Sequence, residues 1–140
     1  MTIPIWMLFG FAMWTLTVLL GSVGVYRWSR ILTGKVAIKE FRADKVEGDD
    51  WYLRAMRAHA NCIENLPVFA VIVFVSFVSG ASSANLDIMA VGVLVARILQ
   101  STIHIAATPT NTIVLVRFIF YLLQVICFFG MAGVIVNQAL

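Results

Sequence analysis

The sequence predicts an all-α fold, an integral membrane four-helix bundle, on three observations. Hydrophobic types make up 61% of the 140 residues and charged types only 12%, about half the charged share of an ordinary soluble domain. Apolar stretches recur at membrane-spanning length, parted by short polar turns. Eight of the ten Lys and Arg residues crowd between Arg27 and Arg57, the lopsided pattern of a membrane-side loop. In lipid every backbone polar group must be paired within the chain, so helices are the viable spanning form here. A chain of this length makes one four-span domain over residues 1–140.

The first helix reads as residues 3–26. Pro4 suits a first turn, where its missing N–H costs nothing, and Tyr26 and Trp28 stand like interfacial anchors. No basic residues precede this stretch and it is too long for a signal peptide's apolar core, so it reads as a retained span. Residues 27–51 form the long loop. Its basic residues alternate with Glu40, Asp44, Glu47, Asp49 and Asp50, which argues against a nucleic-acid-binding run.

The second helix is less obvious. The apolar run Leu66–Val78 is too short to cross about 30 Å of hydrocarbon. The span therefore starts near Tyr52 and covers residues 52–78, drawing Asn61 and Glu64 into the membrane, where such residues need a reason. Pro67 removes one backbone bond and kinks this helix. Residues 79–85 are a turn by composition. The third helix spans residues 86–107, with Asp87 favourably placed in its first turn. Thr110 or Asn111 caps the fourth, residues 111–137.

The loop at 27–51 holds six basic residues and the connector at 79–85 none. The positive-inside rule then puts the long loop and the 108–111 connector in the cytoplasm, with both termini on the opposite side. Cys62 and Cys127 sit in apolar stretches and read as buried free thiols.

Three helices carry polar residues at helical spacing. Arg54, Arg57, Asn61 and Glu64 share a face of the second. Arg97, Gln100, Ser101 and His104 share a face of the third, and Arg117, Tyr121 and Gln124 a face of the fourth. The topology brings all these stripes, and Arg27 and Arg30 closing the first helix, into the cytoplasmic half of the membrane. A buried arginine in lipid costs at least about 2.5 kcal/mol on insertion scales. Glu64 is the only acid within the stripes, so positive charge is in surplus. Two readings fit: a site for an external anion, which bidentate arginines suit, or a polar network that only joins helices while spare arginines snorkel. The surplus favours the first. His104 has no second ligand at metal spacing, so no metal site is expected. Ser101 has no base beside it in sequence.

The segment Arg57-Ala58-His59-Ala60-Asn61-Cys62-Ile63-Glu64-Asn65-Leu66-Pro67 resembles the signature of the MAPEG family, the membrane-associated proteins in eicosanoid and glutathione metabolism. The Arg-Ala-His-x-Asn-x-x-Glu-Asn form looks most like the microsomal glutathione transferase and prostaglandin E synthase branch. Arg97, Gln100 and His104, then Arg117 and Tyr121, repeat spacings of that family's third and fourth helices. The resemblance implies a homotrimer that binds glutathione between neighbouring subunits near the cytoplasmic face. It implies that Arg57, His59, Asn61 and Glu64 hold the tripeptide with Arg97, His104 and Tyr121, and that Arg27 or Arg30 matches helix-1 arginines. His104 stands where many relatives have tyrosine. Phe118 stands where the prostaglandin E synthase branch has serine, which counts against that isomerase chemistry.

Glutathione, as cosubstrate, carries two carboxylates and one ammonium, which several arginines and one glutamate complement. Its thiol, with a pKa near 8.5, is lowered by a nearby cation. Arg117 is the expected catalytic residue, deep at a helix start whose dipole adds to its charge. The thiolate would attack a lipophilic small-molecule electrophile dissolved in membrane lipid, and lipid hydroperoxides are a further target. The rival from another class is a non-catalytic lipid-binding or scaffold protein of the same family. A transporter has little support, lacking paired broken helices.

Overall fold

The computed structural model of the protein describes residues 1–42 and 44–140. Among these residues the chain is all-helical, with four long helices: α1 (Ile3–Leu32), α2 (Asp50–Ser79), α3 (Ala84–Ala106) and α4 (Asn111–Ala139). Each is long and apolar enough to cross a membrane. Large apolar side chains such as Phe74, Phe77, Ile126 and Phe129 stand exposed on the outside of the bundle, as expected of a surface solvated by lipid rather than water.

The helix ends follow local chemistry. Pro4 sits in the first turn of α1. Ser83 Oγ accepts a hydrogen bond from Leu86 N, and Thr110 Oγ1 one from Ile113 N, each at 3.2 Å. These side chains satisfy amide donors that have no partner within the helix. At the end of α2, Ala81 N reaches back to Ser76 O at 3.1 Å and Gly80 N to Phe77 O at 3.3 Å. The helix runs through Pro67 without interruption.

One boundary corrects the sequence reading. The first helix does not stop near Tyr26 but continues to Leu32, so Arg27 and Arg30 lie on α1 and the loop begins at Thr33. Falling hydropathy is not a helix breaker. The chain turns only where Gly34 takes a positive φ of 72°, a conformation open to glycine. The other ends differ from the expected ones by two residues at most.

The extension contains a π turn over Leu19–Gly24. Beyond Pro4, the buried positions along α1 are Phe11, Thr15 and Val18, then Val23 and Tyr26. The five-residue step from Val18 to Val23 spans the π turn, which adds one residue to a turn. Without it, the buried stripe would rotate away from the bundle beyond Val18. With it, Tyr26 stays inward and stacks on Tyr52 at 4.1 Å.

Helix α3 is the hub. It packs most extensively on α4 and also contacts α1 and α2. That position explains why its polar residues Arg97, Gln100, Ser101 and His104 are all buried. Away from the long loop, the bundle closes around an apolar core that includes Phe11, Phe69, Val73, Leu86, Val93, Phe128 and Met131. Phe69 lies at its centre, 5.8 Å from the Phe11 ring and 6.0 Å from that of Phe128.

Candidate functional site

The polar stripes of α2, α3 and α4 meet at the loop end of the bundle, where they line two cavities that share Val114 and Arg117. The smaller, of about 380 Å³, is walled by Asn61, Glu64 and Asn65 of α2, Arg97 and Gln100 of α3, and Arg117, Phe118 and Tyr121 of α4. The larger, of about 810 Å³, lies toward the loop and includes Arg54, Arg57, His104, Arg117 and the loop residue Val46. Glu64 and Tyr121 are exposed on the bundle surface, so the smaller cavity opens sideways. Apolar Val114 and Phe118 stand at that opening.

Arg97 is the most constrained of the cations. It is 1% exposed, yet its Nε and Nη2 have no hydrogen-bond partner among the described residues. Its guanidinium carbon lies 5.6 Å from the centre of the Phe11 ring, a cation–π contact that offsets only part of the burial cost. Arg117 also carries a buried, unpartnered Nε. Unpaired donors in a low-dielectric setting are costly, and both residues line the cavity that holds Glu64. The walls therefore present donors in excess of acceptors, the complement of an anionic or zwitterionic ligand.

The floor of the smaller cavity is held by neutral groups. Gln124 Nε2 donates to Gln100 Oε1 at 2.9 Å and to Phe120 O at 3.0 Å. Ser101 Oγ donates to Arg97 O at 2.7 Å and accepts from Trp14 Nε1 at 2.8 Å. These bonds commit Ser101 to joining α1 and α3, a structural role rather than a nucleophile's. No group of His, Cys, Asp and Glu that could hold a metal occurs among the described residues. Cys62 and Cys127 are free and buried.

The sequence-predicted site residues fall into three groups. Asn61, Glu64, Arg97, Arg117 and Tyr121 come together in the smaller cavity, and Arg57 and His104 join Arg117 in the larger. His59, Arg27 and Arg30 line neither. His59 faces the backbone of Thr15 on α1, its Nδ1 buried and unpartnered. Arg27 donates through Nε to Tyr52 Oη at 2.8 Å and lies 5.5 Å from the Phe41 ring centre. Arg30 pairs with Asp49 at 2.8 Å and covers the Tyr26 ring at 4.5 Å. Within one protomer both arginines hold the loop. Gly48 is part of the same clasp. Its φ is 153°, and a Cβ there would come within 2.7 Å of Tyr26 Oη and Tyr52 Cδ1.

Arg54, Asn65 and Gln100 line the cavities as well, though the predicted site set leaves them out. Arg54 and Gln100 carried a signal, since both belong to the polar stripes. Asn65 is one step beyond Glu64 and donates through Nδ2 to Asn61 O at 2.8 Å. Farther out on the loop, Arg42 holds the Asp44 carboxyl below its ordinary pKa, and Glu47 raises that of Lys45. These local pairs are exposed and line neither cavity.

The MAPEG family model matches residues 4–137, nearly the whole chain. The chain belongs to the MAPEG family. No curated protein and no solved structure matches it at a significant level. Membership and the four spanning-length helices together make this a multi-pass membrane protein. They also ally it with a family of glutathione-related and eicosanoid metabolism. In this MAPEG chain the signature segment of α2 and the arginines of α3 and α4 converge on one pair of cavities.

Proposed function

We propose that the protein is a glutathione-dependent membrane transferase. It binds glutathione in the two adjoining cavities, ionises its thiol and joins the sulfur to lipophilic electrophiles that arrive through the bilayer. The observation that carries this reading is the position of Arg117. It lies on the wall common to both cavities, with a buried unpartnered Nε and with Glu64 as the only acid in the smaller one. A peptide with carboxylates at both ends and a thiol between them meets cations at either side and one at its middle.

The steps follow from the residues. Glu64 takes the ammonium, with Asn61 and Asn65 beside it, and Arg97 faces the adjacent carboxylate. Arg117 stabilises the thiolate, because a cation within reach of a thiol lowers its pKa. Arg117 stands about 9 Å along α4 at 1.5 Å per residue, beyond the first turn over which the helix dipole acts, so the stabilisation comes from its own charge. The thiolate sulfur attacks an electrophilic carbon, the C–S bond forms, and the leaving group departs with its electron pair. With a lipid hydroperoxide, two glutathiones are oxidised to the disulfide, and the peroxide is reduced to an alcohol and water. The sideways opening at Val114 and Phe118 admits such substrates from lipid.

A homotrimer suits this arrangement, since a neighbouring subunit beside the opening would complete the site and leave the seam between the subunits as the route in from lipid. The orientation follows from charge, with the long loop in the cytoplasm and both termini across the membrane. Cytoplasmic glutathione then reaches the cavities from the loop side.

The test is a glutathione titration of the detergent-purified protein at neutral pH, followed by thiolate absorbance in the ultraviolet. Saturable thiolate formation is expected. Binding without thiolate would indicate a non-catalytic family member, and no binding at millimolar concentration would leave the polar cluster as a helix-joining network.

A further inference from the structure

The two cavities differ in charge pattern as well as size, and the difference bears on which end of a ligand enters which. The smaller mixes one carboxylate and three carboxamides with two guanidiniums: Glu64, Asn61, Asn65 and Gln100 against Arg97 and Arg117. That pattern fits a zwitterionic amino-acid end. The larger gathers Arg54, Arg57 and Arg117 with the His104 ring, and its one acid, Asp50, forms no ion pair among the described residues. That pattern fits a lone carboxylate.

Arg54 is the pre-set member of this second group. Its Nε donates to Ile105 O at 3.0 Å, one of the last carbonyls of α3, which lack partners within the helix. The bond holds the side chain in place, while its two terminal nitrogens make no hydrogen bond among the described residues. A guanidinium anchored through Nε still presents a two-pronged donor edge, the geometry that matches a carboxylate. Arg57, in contrast, is exposed and makes no side-chain hydrogen bond among the described residues. An ordered donor loses less freedom on binding than a mobile one.

We propose that Arg54 receives the glycine carboxylate of glutathione in the larger cavity, so that the site selects the tripeptide over its γ-glutamylcysteine fragment. The inference rests on the glutathione reading above and adds a residue, an orientation and a specificity to it. The amino-acid end occupies the smaller cavity, the thiol lies at Arg117 on the shared wall, and the glycine end turns toward the loop.

Equilibrium titrations with glutathione, γ-glutamylcysteine and the glycyl ethyl ester of glutathione test it, first on the native protein and then on Arg54→Gln. A charge-assisted pair lost from the ligand side reduces affinity about tenfold or more. The native protein is expected to bind glutathione tighter than the other two by that factor. Arg54→Gln should lose the factor for glutathione and leave the dipeptide and the ester unchanged. Arg54→Lys, which keeps the charge but not the fork, should fall between. Equal affinity of the native protein for all three ligands would overturn the proposal without recourse to any variant. So would an equal loss for all three in Arg54→Gln, which would assign Arg54 to holding α2 against α3. Both outcomes leave the glutathione reading standing, whereas binding of none of the three by the native protein removes that reading and the inference with it.

Discussion

The two halves of the bundle are built from the same four helices and solve opposite problems. Away from the loop, α1 to α4 interdigitate around Phe69, Leu86, Phe128 and Met131, with Phe11 at the border, where its ring centre lies 5.6 Å from the buried Arg97 guanidinium. At the loop end the helices keep Arg97, Gln100 and His104 buried and leave two cavities between them. In lipid, packing rather than the hydrophobic effect draws helices together. The dry half therefore supplies contact, and the loop half gives contact up to keep donors facing open space. Apolar packing and polar cavities are divided along the length of each helix rather than between helices.

The sharpest break of that division is Phe69→Ala. Phe69 is fully buried and bridges Phe11 and Phe128. Its truncation should lower stability by roughly 3 kcal/mol or more, seen as an earlier thermal unfolding in detergent. Glutathione affinity of the protein that remains folded should not change. A parallel loss of affinity would mean that the two halves are coupled. Arg117→Ala is the reciprocal experiment, with a large effect on chemistry and a small one on unfolding. Without the cation the bound thiol should return toward its ordinary pKa near 8.5, leaving a few per cent of thiolate at pH 7. The sign is fixed by the charge: removing a cation destabilises the anion, so the titration midpoint moves up. Glutathione affinity should fall less than thiolate formation, and an equal fall would assign Arg117 to binding alone.

The dry half and the stripes were legible for the same reason. An α-helix repeats every 3.6 residues, so Asn61 and Glu64 must share a face, as must Arg97 and His104. What spacing does not reveal is which neighbour a face meets. Arg57 and Glu64 read as one stripe, yet they line different cavities, because the wall opposite them changes along α2. His59 sits roughly 200° around the helix from Arg57, and it turns toward α1 although it belongs to the same signature segment. The π turn of α1 has no residue signature, and the continuation to Leu32 is hidden by the fall in hydropathy at Arg27. For that reason the sequence does not show that Arg27 and Arg30 clasp Tyr52 and Asp49 within the protomer. The tertiary contacts of a 17-residue loop, Thr33–Asp49, decide their role, and no local pattern encodes those contacts.

The border between the halves carries the smallest expected effect, and it discriminates between the two readings of the polar cluster. Gln124 is fully buried and joins α4 to α3 through Gln100, while its own Oε1 has no partner among the described residues. If the cluster exists to hold helices together, this buried pair is a principal link, and Gln124→Leu should cost well over the average membrane hydrogen bond of about 0.6 kcal/mol. If the cluster exists to face a ligand, the link matters little. The substitution also removes an unsatisfied oxygen, which offsets part of the lost bond, and Gln100 can turn its amide into the cavity that it already lines. The expected result is a change in unfolding of under about 1 kcal/mol, with a glutathione affinity altered no more than a few-fold. A destabilisation of several kcal/mol would instead show that the polar half is held by its own hydrogen bonds, and that its cavities are a by-product of how those bonds space the helices.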